Sequence, residues 1–210
     1  MNKRTLCHSV AFALTLTVLI GCKSSLDRPE VVEAQTLDYG VPPVFNLGLS
    51  VEQAYEAIPH RRTVWNDVDS TATPSEKAYL KTIFEVLDEA TAVRIAGMQN
   101  YANGHFEYTD PDSEYEQLVN FTRGMTPPKK LEAYHNDILQ GLTNQRQFFT
   151  DWKAQGDRFG YPVCIKTHPG VQRASGALRS AYNELMVHFP AEAQANKDAF
   201  FDYHCALDFL

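Results

Sequence analysis

Apolar residues recur at spacings of three and four through most of the chain, a period typical of amphipathic α-helices. The longest such pattern follows Thr73-Pro74-Ser75-Glu76, which has a threonine cap, proline at the first helical position and glutamate at the third. This pattern predicts a helix that ends at Asn103-Gly104. Its inward-facing residues are predicted to be Leu80, Ile83, Phe84, Leu87, Thr91, Ile95, Met98 and Tyr101.

The same period predicts three further long helices and two short ones. Thr126-Pro127 is expected to open the second long helix, and Asp110-Pro111 is expected to cap a short one. Ser50-Val51-Glu52-Gln53 has the spacing of a capping box. The other predicted helices cover residues 51–58, 111–123, 126–156, 169–188 and 191–209.

No stretch of the chain alternates β-branched and polar residues, so the sequence predicts an all-α fold. Four long helices joined by short, capped turns favour an antiparallel up-and-down bundle, with the two short helices packed outside it. We expect one such domain over residues 50–210. Residues 22–49 lack an apolar period and contain several prolines and glycines, which predicts a flexible linker whose apolar stretch Val41–Phe45 docks on the body.

The first 22 residues have the layout of a secretory signal. Lys3 and Arg4 precede an apolar run of about 12 residues, which is shorter than the roughly 20 that a membrane-spanning helix needs. Leu19-Ile20-Gly21-Cys22 then closely resembles the lipobox of bacterial lipoproteins. The resemblance implies that residues 1–21 are a signal peptide, and that Cys22 is lipidated and becomes the new amino terminus. Because Lys23 rather than aspartate follows Cys22, the same resemblance implies an outer-membrane location facing the periplasm.

The charge of the chain argues against nucleic acid as a partner. The sequence has 26 acidic and 19 basic residues, for a net charge of −7. Residues 1–21 contain two bases and no acid, so the remainder has 26 acids against 17 bases, or −9. A body this acidic, with no block of basic residues, does not fit phosphate-backbone binding. The expected membrane contact is therefore the lipid anchor.

Cys164 and Cys205 are the two cysteines that the signal and the lipid do not use. In an oxidising compartment we expect them to form a disulfide, with two buried free thiols as the alternative. Both cysteines could also bind zinc together with His168 and His204, but the wide separation of these residues along the chain argues against such a site.

Two other groups of residues are candidates for function. Glu132 and His135 have the Glu-x-x-His spacing of metal sites in helical bundles, but no second such pair is present, so no metal site is assigned. His60-Arg61-Arg62, with Trp65 nearby, is either an anion-binding clamp or an internal tie to a carboxylate on the bundle. We predict that one arginine is the tie and that the other is nearly neutral for folding.

The chain contains no Gly-x-Ser-x-Gly and no Gly-rich phosphate loop, so no catalytic residues are assigned and the sequence favours a binding protein over an enzyme. The leading hypothesis is a lipid-anchored helical bundle of the cell envelope that binds an envelope protein or a small ligand. The alternative is a bundle that binds a metal or cofactor, of the kind that can support redox chemistry. Apart from the lipid on Cys22, no cofactor is assigned.

Overall fold

A computed structural model of the chain describes residues 38–58 and 61–209, and within these ranges the regular structure is entirely helical. The predicted signal peptide, the lipobox at Cys22 and the first part of the predicted linker lie outside the described residues. The predicted all-α class is thereby confirmed for the part of the chain that is described. The α-helices are α1 (Val51–Glu56), α2 (Pro74–Ala102), α3 (Pro111–Gly124), α4 (Glu132–Gln155), α5 (Pro169–His188) and α6 (Gln194–Leu207), with 3-10 helices at Lys129–Leu131, Gly156–Phe159 and Val163–Lys166.

Helix starts agree with the prediction where the capping chemistry is complete. The Ser50 hydroxyl accepts from the Gln53 backbone N–H, and the Gln53 side chain accepts from the Ser50 N–H at 2.7 Å. Thr73 and Glu76 make the same pair of bonds at the start of α2. Each box satisfies two backbone donors that the first helical turn leaves unpaired, which is why these starts are well defined.

Two predicted starts are wrong, and one predicted cap bond is absent. Helix α3 begins at Pro111 as predicted, with Asp110 at its N-cap position, but the Asp110 side chain makes no cap bond and its carboxylate accepts from Lys153 Nζ at 2.9 Å. The helix predicted from Thr126-Pro127 begins at Glu132, after a 3-10 turn, since the proline at 128 disfavours helical geometry at the residue before it. The last helix begins at Gln194 rather than Ala191, and Ala193 is exposed.

Helix α2 is the centre of the molecule. It packs against α1, α3, α4 and α6, and it is buried around most of its circumference rather than along one seam. Residues outside the predicted seam, such as Val86, Ala90 and Val93, have no solvent contact. A helix that is apolar on all sides is expected to be buried on all sides. The remaining helices surround it, with α4 packed on α3 and α5, and α5 packed on α6.

Residues 38–49, the described part of the predicted linker, lie along the helices. The ring of Tyr39 meets that of Tyr79 edge to face at 5.5 Å, and Leu47 is buried in the core. Phe45 packs partly against the same core, whereas Val41 and Val44 are exposed. Pro42 is buried and Pro43 half-buried, so within the Val41–Phe45 stretch the two prolines and Phe45 contact the body.

Across residues 38–58 and 61–209, no helix has both the length and the apolarity that a bilayer span needs.

Candidate functional site

A cavity of about 580 Å³ lies among α2, α5, α6 and the chain that follows α6. Its volume is within the range of typical small-molecule sites. Leu178 and Tyr182 of α5 both line the cavity, and because they are four residues apart their side chains lie on the same face of the helix. Its apolar walls are formed by Ile58, Leu178, Tyr182, Phe201 and Phe209.

Five polar side chains also line this cavity. They come from three separate parts of the chain, which meet because α6 packs against both α2 and α5. Several convergent polar groups in an apolar cavity are the usual composition of a ligand site. The five are Arg94, Arg179, His204, Cys205 and Asp208.

Arg94 extends from the middle of α2 and is only 5% exposed. Its Nη2 donates to the carbonyl of Ala206 in the last turn of α6 at 2.5 Å, and its Nη1 faces the Met98 sulfur at 3.8 Å. The guanidinium also lies 5.2 Å from the centre of the Phe209 ring. Its Nε has no hydrogen-bond partner. Burial lowers the pKa of Arg94, since the charged form is taken out of water.

His204 is the second buried polar group of the cavity and is 3% exposed. Its Nδ1 lies 2.5 Å from the carbonyl of Phe200, a carbonyl can only accept, and so Nδ1 carries the proton. Nε2 is then an acceptor, and it has no partner. Burial lowers the pKa of His204 to about 4, so the ring is neutral at pH 7.

The other polar groups of the cavity are closer to its rim. Asp208 accepts from the Ser175 hydroxyl at 2.8 Å and pairs with Arg179 Nε at 3.6 Å. Burial raises the pKa of the Cys205 thiol, with smaller contributions from nearby carboxylates including Asp208, so it stays protonated at neutral pH.

Arg62 is the internal tie among the basic residues that the sequence singled out. Its Nη2 and Nε reach the two carboxylate oxygens of Asp88 on α2 at 2.5 and 3.4 Å, and its Nη1 reaches Glu52 at 3.2 Å. The Tyr55 hydroxyl donates to the same Asp88 carboxylate at 3.1 Å. Burial raises the pKa of Asp88, against the opposing effect of Arg62.

Arg61 has different partners from Arg62. The Arg61 side chain is 69% exposed, with ion-pair distances of 3.5 Å or more to Asp202 and Asp198. Trp65 is buried against Phe84 and borders a small pocket together with Arg62, while the Arg62 guanidinium lies over the ring of Tyr55. His60 lies outside the described residues.

The predicted disulfide between Cys164 and Cys205 is not present, since both are free cysteines. Cys164 precedes α5, whereas Cys205 lines the cavity with Leu178, nine residues into α5. Cys164 is not among the residues that border the cavity with Cys205, so the two thiols lie in different surroundings.

The weak metal candidates also do not converge. Glu132 is exposed, while His135 is buried with its Nδ1 2.9 Å from the Tyr79 hydroxyl. His168 caps α5 by accepting from the Gly170 N–H, and its other nitrogen faces Asp151. Within the described ranges, no group of three or more histidine, cysteine, aspartate or glutamate side chains is arranged to hold a metal ion.

Arg94 was not among the predicted site residues, although its position in an otherwise uncharged stretch of the chain was a signal for it. Arg94 is the one charged residue in the stretch Ala90–Gly97, which is otherwise small or apolar. A charge placed inside such a run is rarely tolerated without a partner.

Comparison of the chain with protein-family models, with curated proteins and with solved structures finds no match.

Proposed function

We propose that this protein is a lipid-anchored protein of the bacterial cell envelope that binds a small, largely apolar ligand in the cavity among α2, α5 and α6. The observation that carries the binding function is the cavity itself, whose lining residues Arg94 and His204 each have a buried polar atom without a partner, Nε and Nε2. Buried polar atoms are nearly always hydrogen-bonded, so two unpaired ones at one cavity favour a ligand that supplies the missing bonds. A concave site of this size fits a small molecule better than a protein surface.

The anchoring half of the proposal is supported by Leu19-Ile20-Gly21-Cys22 and by the basic and apolar segments that precede it. Cys22 would carry the lipid, and the helical body would face the periplasm from the outer membrane. The body is proposed to be an antiparallel up-and-down bundle of α2, α4, α5 and α6, with α1 and α3 as accessory helices. This arrangement is consistent with the packing of α4 on α5, of α5 on α6 and of α2 on both α4 and α6.

The cavity can be tested with octanamide, a neutral eight-carbon probe. We would titrate it by calorimetry into the lipidated protein held in phosphatidylcholine nanodiscs, with empty nanodiscs as the blank. Cys205→Phe places a bulky ring in the cavity, and Cys164→Phe makes the same change outside it. Saturable binding that Cys205→Phe weakens at least about tenfold, and Cys164→Phe leaves unchanged, is the expected result.

Two results would overturn the binding proposal. One is the absence of saturable binding of octanamide and of its charged analogues to the unaltered protein. The other is equal binding in the two phenylalanine variants, with both shown to be folded by their thermal melts. A stoichiometric metal ion or a visible absorption band in the purified protein would instead favour the metal- or cofactor-binding alternative.

A further inference from the structure

We infer that the ligand of this cavity is an aliphatic monocarboxylate, whose carboxylate is bound by Arg94 and whose chain lies along the apolar walls. The inference rests on the proposed binding function of the same cavity and adds the chemical class of the ligand.

Arg94 is a buried positive charge. Arginine stays protonated at neutral pH, and a buried cation is costly unless an anion or several hydrogen bonds compensate it. No carboxylate lies within ion-pair distance of Arg94 among the residues that the structure describes. By contrast, Arg62 and Arg146, both less buried, each reach a carboxylate within 3 Å.

Three groups of the protein already contact the Arg94 guanidinium. The Ala206 carbonyl belongs to the last turn of α6, where the helix carries roughly half a negative charge. The Met98 sulfur and the Phe209 ring add only weak contacts. Burial lowers the pKa of Arg94, whereas Asp208 acts in the opposite direction by stabilising the charged form from beyond ion-pair distance, and Nε has no hydrogen-bond partner. A carboxylate oxygen is the acceptor that an arginine binds best.

The lining of the cavity has a formal positive charge. His204 is neutral and Cys205 is protonated, so the charged groups are Arg94, Arg179 and Asp208. Two arginines against one aspartate leave one positive charge in excess. One carboxylate balances that charge, whereas a phosphate monoester or a dicarboxylate would bring an additional negative charge into an apolar cavity.

The remaining walls define the rest of the ligand. Ile58, Leu178, Tyr182 and the two phenylalanines present carbon atoms along the cavity, which favours an aliphatic chain over a polar one. A carboxylate has no proton to donate to His204 Nε2, so the recognition of its charge falls to Arg94.

The test compares three probes that share an eight-carbon chain: octanoate, octanamide and octylammonium. Each is titrated by calorimetry at pH 7.5 into the lipidated protein in phosphatidylcholine nanodiscs, with empty nanodiscs subtracted. Because a hydrogen bond to a charged group contributes more than a neutral one, octanoate is expected to bind roughly tenfold to a hundredfold more tightly than octanamide. Octylammonium is expected to bind most weakly.

Arg94→Met keeps an unbranched side chain and removes the charge, so it should abolish the preference for octanoate over octanamide. Arg173→Met is the matched control, because Arg173 is an exposed arginine of α5 that does not line the cavity. Its preference should equal that of the unaltered protein. The probe comparison uses the unaltered chain, so it decides the inference even if Arg94→Met fails to fold.

The outcomes separate this inference from the proposed function. If octanoate and octanamide bind equally, or octylammonium binds as well as octanoate, the carboxylate inference is overturned and the cavity remains a ligand site. If none of the three probes binds, both fall. If Arg94→Met folds and retains the full preference for octanoate, the inference is overturned because another group supplies the recognition.

Discussion

Asp88 illustrates how one buried carboxylate fixes the position of a segment that has little regular structure. It is buried on α2, and it holds both Arg62 and the Tyr55 hydroxyl. Two separate segments, α1 and residues 61–65, are therefore tied to the central helix through a single side chain. Without Arg62, the Asp88 carboxylate would be a buried charge with no countercharge, so its burial depends on Arg62.

The first prediction concerns Arg62. Arg62→Ala leaves Asp88 buried without its countercharge and should lower the free energy of unfolding by about 2–3 kcal/mol, somewhat less than for a fully buried pair because the Arg62 side chain is 27% exposed. Arg61→Ala is the matched control and should change the unfolding free energy by less than about 0.5 kcal/mol. Urea unfolding of the two variants measures both values. Equal values for the two arginines would contradict the assignment of Arg62 as the tie.

At the scale of single helices, local chemistry explains what the sequence could predict. Ser50 and Thr73 start helices where they were expected, because a capping box is complete within four residues. Asp110 precedes α3 as expected, but its side chain makes no cap bond and instead accepts from Lys153, 43 residues away. The burial of α2 on most sides was not predicted, because it depends on which helices surround it. The apolar residues between the predicted seam positions were the available signal.

The candidate site is harder to predict than the helices for the same reason. Its lining comes from Ile58, Arg94, Leu178 and residues 201–209, which no local pattern connects. Arg62 was predicted as one of two alternatives, and its partner Asp88 was not identified, since a carboxylate inside α2 resembles any other helical residue until the packing is known. Sequence patterns therefore located the helices, while the contacts between distant segments determined the cavity.

The second prediction belongs to the crossing of α2 with α3 and α4. A Cβ added to Gly97 would lie 2.5 Å from the Pro111 ring and 2.9 Å from the Phe149 ring, which is closer than side chains pack. Gly97→Ala should therefore destabilise the fold by about 1–2 kcal/mol, because overpacking outweighs the gain of roughly 1 kcal/mol in helix propensity.

Gly176 on α5 is the matched control for this change. It is also helical, but nothing lies within 4 Å of an added Cβ. Gly176→Ala should raise the unfolding free energy by about 0.5–1 kcal/mol. Chemical denaturation of both variants gives the two signs, and a stabilised Gly97→Ala would show that the helices can separate at this crossing without cost.

At the scale of the whole molecule, the proposed anchor and the described body are linked by sequence alone. Residues 38–49 pack along the helices, so the segment between Cys22 and Asp38 is what remains to connect the lipid to the body. Its 15 residues between these two positions could span at most about 50 Å when fully extended. The proposed anchor would therefore limit how far the body can move from the membrane.

The third prediction tests the anchor. Cys22→Ser removes the thiol to which the lipid is attached, so the variant should accumulate as an unprocessed precursor that takes up no labelled fatty acid. Cys7→Ser is the matched control, because Cys7 lies within the predicted signal peptide and should leave both processing and labelling unchanged. Metabolic labelling with a fatty-acid analogue, followed by mass spectrometry of the amino-terminal peptide, measures both. Equal labelling of the Cys22→Ser variant and the unaltered protein would refute lipidation at Cys22. If lipidation holds, sucrose-gradient fractionation should place the protein with the outer membrane; recovery with the inner membrane would correct the location and leave the lipid attachment intact.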